Sequence, residues 1–507
     1  MNYNLIIKIV KYNQLVKLLL VVLLCCALPA LSQTKREFRG AWIQCVNGQF
    51  QGMGTAAMQR TLTYQLDELQ KDGVNAIIFQ VRPECDALYE SPYEPWSRFL
   101  TGRQGMRPSP YWDPLQWMID ECHKRGMELH AWINPFRAKT KVTNELANTH
   151  IAQRRPDLVF QYDGLYILNP AKQEARDYIC QVTADIVKRY DVDGLHIDDY
   201  FYPYPVAGQP IPDVNDFYAN PRGFNNINDW RRNNVNLFIE QLFRTIRSVK
   251  PWVKFGVSPF GIYQNKSAAH PGGSNTNGLQ NYDELYADVL LWVEKGWLDY
   301  CVPQIYWEIG HKAADYQTLI YWWTQNSTKR PLYIGEDIER TVKFNQQSQK
   351  RQLYSQLYST QSNNSSLCGT VLWYAKAAVD NVGGYGTQLR NNYWRMPALQ
   401  PSMPFISKAA PKKVTKVKPI WTSDGYVLFW KAPKAKGWEQ EATKYVVYRF
   451  EKKEKIDISD ASHIVAITTS SWYKLSYDNG KNKYIYVVTA LNRLDNEGAY
   501  VKKKVKL

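Results

Sequence analysis

From Glu37 to about Met396 the chain alternates short β-rich runs with longer helical stretches, and that alternation leaves few folds open. The runs are Phe38–Ile43, Ala76–Val81, Glu128–Ile133, Gly194–Asp198, Phe255–Pro259, Tyr300–Tyr306, Leu332–Gly335 and Thr370–Tyr374. Helix-periodic stretches fall between them at Met58–Asp72, Pro114–Arg125, Glu174–Tyr190, Trp230–Lys250, Asp283–Lys295, Asp315–Gln325 and Gln346–Gln361. A helix between two strands carries the chain back to the starting edge, so successive strands run parallel. Eight such units over roughly 360 residues fit a closed (β/α)8 barrel with enlarged loops. An open doubly wound dinucleotide fold calls for a glycine-rich phosphate turn after a strand, and no run is followed by one. The expected class is α/β: a TIM barrel over residues 33–396.

The texture changes after that. Residues 397–410 carry three prolines and no periodicity, which reads as a linker. Short alternating runs follow at Tyr426–Trp430, Lys444–Phe450, His463–Thr468, Trp472–Leu475, Lys483–Ala490 and Ala499–Val505. Short strands at regular spacing indicate a small all-β sandwich over 411–507.

The first 32 residues read as a secretory signal. Lys8, Lys11 and Lys17 precede an apolar run from Leu18 to Leu28, and Ala30-Leu31-Ser32 sets small residues for cleavage near Gln33. That run is too short to span a bilayer, and no later segment is long and apolar enough, so the mature chain is expected to lack a transmembrane segment. The net charge of +16 has a local origin. Roughly +11 of it lies beyond residue 405 and about +3 in the signal, leaving the barrel near neutral. No nucleic-acid partner is therefore expected; the basic tail suits contact with an anionic cell envelope. The six cysteines beyond the signal show no metal-ligand spacing, and most fall within strands or helices as buried small hydrophobes; Cys45 and Cys85, after neighbouring strands, could pair in an oxidising compartment.

A barrel of this type works at the C-terminal ends of its strands. The fourth run, Asp193-Gly194-Leu195-His196-Ile197-Asp198-Asp199, sends His196 and Asp198 inward by strand alternation and sets Asp198 at the mouth. Asp199, Tyr200 and Tyr202 follow at once. Other strand ends supply Gln80, Arg82 and Asp86; His130, Trp132, Asn134 and Arg137; Gln304, Tyr306 and Trp307; and Trp373, with Arg39 and Trp42 on the first strand. These amides, guanidinia and aromatics are the groups that orient a polyhydroxylated ligand. Aromatic residues make up 14% of the chain, including 18 Trp and 35 Tyr, and flat rings suit the C–H faces of sugars. Glycoside hydrolysis needs two carboxyl groups across the scissile bond. Asp198 is the first; Asp199 and Glu308 are the leading candidates for the second, with Glu336, Asp86 and Glu284 also available. A metal-dependent hydrolase would have to use His130, His196 and Asp198, which lack the dense histidine spacing of zinc sites. No metal and no cofactor are expected. The same cleft would also serve a non-catalytic glycan-binding or scaffold protein.

Arg39-Gly40-Ala41-Trp42, Pro95-Trp96-Ser97, Asp113-Pro114-Leu115, His130-Ala131-Trp132-Ile133-Asn134-Pro135, Asp198-Asp199-Tyr200-Phe201-Tyr202, Phe255-Gly256-Val257-Ser258-Pro259 and Pro303-Gln304-Ile305-Tyr306-Trp307 appear in that order. In these motifs the chain resembles the glycosyl hydrolase-like 10 family of bacterial envelope proteins. The resemblance implies a TIM barrel, export to the periplasm or envelope, cleavage of a polysaccharide, and for some relatives action on peptidoglycan strands stripped of stem peptides. It carries over Asp198 and Asp199, and its motifs stop just short of Glu308 and Glu336. The tail resembles a fibronectin type III module, with Trp430 in an early strand and Tyr484–Asn492 near the end, which implies a spacer or contact surface separable from the barrel.

Overall fold

Eight parallel strands close into a barrel in a computed structural model that describes residues 34–143, 145–348 and 367–507. The strands are β1 (Phe38–Ile43), β2 (Ala76–Arg82), β3 (Glu128–Ile133), β4 (Gly194–Ile197), β5 (Lys254–Val257), β6 (Tyr300–Cys301), β7 (Leu332–Asp337) and β8 (Leu367–Trp373). They follow chain order around the ring, with β8 pairing β1 to close it. The expected signal segment and most of the helix expected at Gln346–Gln361 lie outside the described residues. No helix among the described residues is long and apolar enough to cross a membrane.

Strand alternation sorts each strand between two cores. Along β3, Leu129, Ala131 and Ile133 join the large cluster beneath the helices, while Trp132 joins an inner cluster with Phe38, Trp42, Ile78, Tyr300, Tyr333 and Val371. The inner filling is aromatic: Phe38 stacks on Tyr333 at 4.2 Å between centroids. Glycine makes room for it. A Cβ on Gly256 would sit 1.9 Å from the Tyr300 ring, and one on Gly194 would sit 2.4 Å from His130 Nδ1.

The departures from the sequence reading have local causes. β6 ends at Cys301 because Pro303 lacks the N–H that would continue the ladder. The helix expected over Asp283–Lys295 breaks into Asn281–Glu284 and Val289–Lys295, the second capped by Asp288, whose side chain accepts from Leu291 N. Cys45 and Cys85 are free thiols: Cys45 lies 3.4 Å from Gln80 Oε1, and Cys85 accepts from Arg82 at 3.0 Å.

Beyond the barrel, β9 (Thr415–Thr422), β10 (Gly425–Lys431) and β13 (Trp472–Lys474) form one antiparallel sheet. β11 (Lys444–Glu451), β12 (Ile464–Thr468), β14 (Lys483–Leu491) and β15 (Val501–Lys506) form the other. Leu428, Trp430, Val447, Tyr486 and Val488 fill the space between them. β9 escaped the sequence reading because lysines interrupt its alternation and Pro419 sits within it, both tolerated on an edge strand.

The sandwich and its connection are bound to the barrel rather than tethered to it. Within residues 397–410, Leu399 exchanges backbone hydrogen bonds with Lys35 and Glu37, and Gln400 donates to Asn75 O at 2.8 Å. The module closes the barrel's lower end, where β3 and β5 begin. Lys444 and Asp495 of the sandwich meet Glu128 and Lys254 of the barrel, Lys444 half-buried and the other three buried, with Lys254 Nζ 2.5 Å from Glu128 and Lys444 Nζ 2.9 Å from Asp495. Trp438 packs on Trp252, and Arg493 pairs with Asp191 at 2.6 Å.

Candidate active site

A cleft of about 820 Å³ opens at the other end, over the C-terminal tips of the strands. Alternation along β4 brings His196 and Asp198 to the inside, and Asp198 emerges on the cleft floor with Asp199 beside it. Trp132, two strand positions before Asn134, donates its indole N–H to Asp198 Oδ2 at 3.1 Å. Asn134 donates to the same oxygen and is itself held by Gln80, whose amide donates to Asn134 Oδ1 at 2.7 Å. Gln80 in turn accepts from the Cys45 amide at 3.0 Å. The ends of β1, β2 and β3 thus fix one carboxyl group at the end of β4.

Asp198 is only 5% exposed. Burial, reinforced by the charge of Asp199, pushes its pKa up to about 7, against the opposing pull of Arg137. Burial also raises Asp199, which accepts hydrogen bonds from the Tyr204 hydroxyl and Gln304. Tyr200 and Tyr204 stack at 5.5 Å, and Arg137 lies over the Tyr200 ring at 5.0 Å, anchored by Nε to Pro83 O. Trp373 stands edge-on to both Trp42 and Trp132 at 6.2 Å, building an aromatic wall.

The cleft gathers Asp198, Asp199, Trp42, Gln80, Trp132, Arg137, Tyr200, Gln304, Tyr306, Trp307 and Trp373 from the sequence-derived set. Asn134 supports the floor from behind. The others lie elsewhere, each for a traceable reason. Arg39 sits at an outward position of β1, paired with Glu37 and donating to Met396 O. Arg82 follows an irregularity in the β2–β3 register and is consumed by a buried pair with Glu94 at 2.7 Å. Asp86 accepts from the Glu84 amide and Gln104. Tyr202 points outward to Asn234. His196 and His130 fill the barrel interior below the floor, both bonded to the Tyr300 hydroxyl. Glu308 lies one residue beyond Trp307 and does not line the cleft. Glu336 faces outward to Tyr316, and Glu284 caps its own helix at Gln280 N. Among the described residues no group of three or more His, Cys, Asp or Glu is placed to share a metal ion.

The structure adds Asp337 and Arg340, which line the cleft from β7 and the helix after it. Asp337 accepts from the Arg340 amide at 2.9 Å and pairs with its guanidinium at 3.5 Å, while burial raises its pKa. The signal was present: Tyr333, Gly335 and Asp337 share the inward face of one strand. Ending that strand at Gly335 concealed it.

A (β/α)8 barrel with carboxyl groups in an aromatic cleft at its C-terminal mouth defines a glycosidase-like protein. The chain belongs to the glycosyl hydrolase-like 10 family, which it matches over residues 37–355. It is 38% identical to Glycosyl hydrolase YngK of Bacillus subtilis (strain 168) over 486 residues, 94% of each chain. It is also 38% identical to Glycosyl hydrolase DigH of Escherichia coli (strain K12) over 326 residues, 60% of this chain and 73% of that one. Among solved structures it is similar to the PgaB (BpsB) glycoside hydrolase domain from Bordetella bronchiseptica, with a TM-score of 0.47 and 11% identity over 72% of this chain and 100% of that one.

Proposed function

We propose that this chain is an exported glycoside hydrolase of the bacterial cell envelope that cleaves glycosidic bonds in peptidoglycan strands lacking stem peptides. One observation carries the reading. Asp198 presents a carboxyl group on the floor of an aromatic cleft, with a pKa raised to about 7, so roughly half of it carries a proton at pH 7 where an ordinary Asp carries almost none. That is the state a general acid needs to protonate a departing sugar oxygen.

The second carboxyl must approach the sugar from the opposite side of the bond. Asp199 is on the same strand end as Asp198, so it serves better as a neighbouring negative charge that keeps Asp198 protonated and stabilises positive charge developing on the ring. Asp337 lines the same cleft from β7, three strands further round the mouth, which supports it as base or nucleophile. Arg137, Gln304 and the Trp42–Trp373 wall would hold the sugar. The three-plus-four strand arrangement of the tail supports a fibronectin type III-like module.

The test is incubation of wild type and Asp198→Asn with peptidoglycan, intact and stripped of stem peptides, with released fragments read by mass spectrometry. Fragments from wild type alone, on the stripped polymer, are expected. Binding without fragments on either polymer would instead leave a glycan-binding protein.

A further inference from the structure

The sandwich carries an aromatic surface that the cleft does not use. Trp421 and Tyr426 face each other across the β9–β10 hairpin, with ring centroids 4.8 Å apart, and Tyr477 closes edge-on against them at 5.0 and 5.4 Å. Packed rings of this kind are normally buried, yet Trp421 is 63% exposed and Tyr477 46%. The cluster sits at the hairpin tip, at the opposite end of β10 from Lys431, after which the chain passes to Lys444, which meets Glu128 of the barrel. Lys474 reaches alongside Gly425 at that tip, and the acid next to Tyr477, Asp478, is paired with Lys481.

We propose that Trp421, Tyr426 and Tyr477 form a second glycan-binding site, on which a pyranose ring of an insoluble anionic cell-wall polymer stacks. The mutual edge-on contacts hold the rings in place before binding, so little side-chain entropy is lost when a sugar arrives. Trp and Tyr also settle at lipid headgroups, but a membrane-docking face adds aliphatic or Phe side chains that enter the acyl region. The exposed large apolar residues of 411–507 are instead Trp421, Trp472, Tyr477 and Tyr500, each with an N–H or O–H to offer a hydroxylated ligand. The module's charge, roughly +11 beyond residue 405, favours retention on an anionic polymer. Because the module is fixed to the barrel's lower end, this site would hold the protein on the wall while the cleft faces another strand.

The inference rests on the proposed function for its choice of polymer, and sedimentation separates the two. Full-length wild type and the Trp421→Ala/Tyr477→Ala double variant are spun with insoluble peptidoglycan stripped of stem peptides and, in parallel, with phosphatidylglycerol vesicles. Retention of the double variant on the glycan should fall at least tenfold, with thermal unfolding unchanged and turnover of soluble oligosaccharides equal to wild type. Trp421→Phe/Tyr477→Phe, which keeps the stacking faces, should be retained nearly as well as wild type. Equal retention of the alanine variant, no retention of wild type, or a loss confined to vesicles would each overturn the site. Trp421-dependent retention by a protein that cleaves no glycan would keep this inference and remove the hydrolase.

Discussion

Replacing Asp198 with Asn should stabilise the fold at alkaline pH while removing turnover, and the size of the gain follows from the surroundings of the carboxyl. In the fold its pKa stands near 7 against an ordinary 3.8. Each unit is worth about 1.4 kcal/mol, so ionising Asp198 within the fold costs roughly 4 kcal/mol above pH 7 relative to the unfolded chain. A folded pKa above the unfolded one means that this contribution to stability is intact below about pH 4 and lost as pH rises through 7. Asn is neutral throughout and its oxygen can still accept from Trp132 and Asn134. The variant should therefore match wild type near pH 4 and exceed it by roughly 3–4 kcal/mol at pH 8. Unfolding a unit the size of Lys35–Leu507 carries an entropy near 1 kcal/mol per kelvin, so the gain reads as a Tm rise of roughly 3–4 °C. Thermal unfolding followed by tryptophan fluorescence at pH 4, 6 and 8 measures it. A gain of equal size at pH 4 and pH 8, or a loss at pH 8, would refute the reasoning, because neither is compatible with a buried carboxyl whose charge the fold resists.

Arg137→Gln removes the guanidinium that pulls Asp198 downward, so the alkaline limb of kcat/KM should move above its wild-type position near pH 7; an unmoved or lowered limb in a pH–rate profile would exclude Asp198 as the acid. Asp337→Asn should lower kcat at least a hundredfold with little change in oligosaccharide affinity, whereas a variant of near-normal kcat would return the second role to Asp199. Lys444→Met strips one cation from the group of Glu128, Asp495 and Lys254 and should cost about 2–4 kcal/mol in urea unfolding, since two buried carboxyl groups are left to share Lys254, 3.9 Å from Asp495. Truncation after Pro401 should likewise lower the barrel's unfolding temperature, because it removes that lid; an unchanged transition would restore the picture of a separable tail.

The barrel was legible because each strand is short, apolar and flanked by a helical stretch, and the parity of His196 and Asp198 on β4 could be counted directly. The cleft was legible only in part. Parity also sends Arg39 outward on β1, whereas its motif, Arg39-Gly40-Ala41-Trp42, carries no mark of which face it takes. Arg82 required knowledge of a register irregularity that no local pattern marks. Asp337 was lost to a strand end placed two residues early. The docking of the sandwich left no linear signal, for Lys444 and Glu128 are more than three hundred positions apart and neither is unusual in its own segment. Long-range charge pairs of this kind become visible only when the chain is folded.

The interior of the barrel explains how Asp198 can keep a proton so close to a set of ionised groups. Trp42 can only donate, and its N–H points at His196 Nε2 at 3.4 Å. His196 then donates from Nδ1 to the Tyr300 hydroxyl, which donates to His130 Nδ1 at 2.7 Å, and His130 Nε2 donates to Glu128 at 3.0 Å. The carboxylate at the bottom sets this order and leaves His196 Nε2 an acceptor, for which the Ser258 hydroxyl at 2.9 Å is a nearer donor than Trp42. Burial holds His196 well below its usual pKa, so the group two positions before Asp198 on the same strand is neutral. Had that position been a cation, its charge would have drawn the Asp198 pKa down and left a carboxylate unable to protonate a leaving group. Below the floor, the charged pairs lie at the barrel's lower end, where Lys254 and the sandwich residue Lys444 balance Glu128 and Asp495. The module that closes that end therefore supplies one of the two cations that balance the carboxyl groups beneath this hydrogen-bonded column.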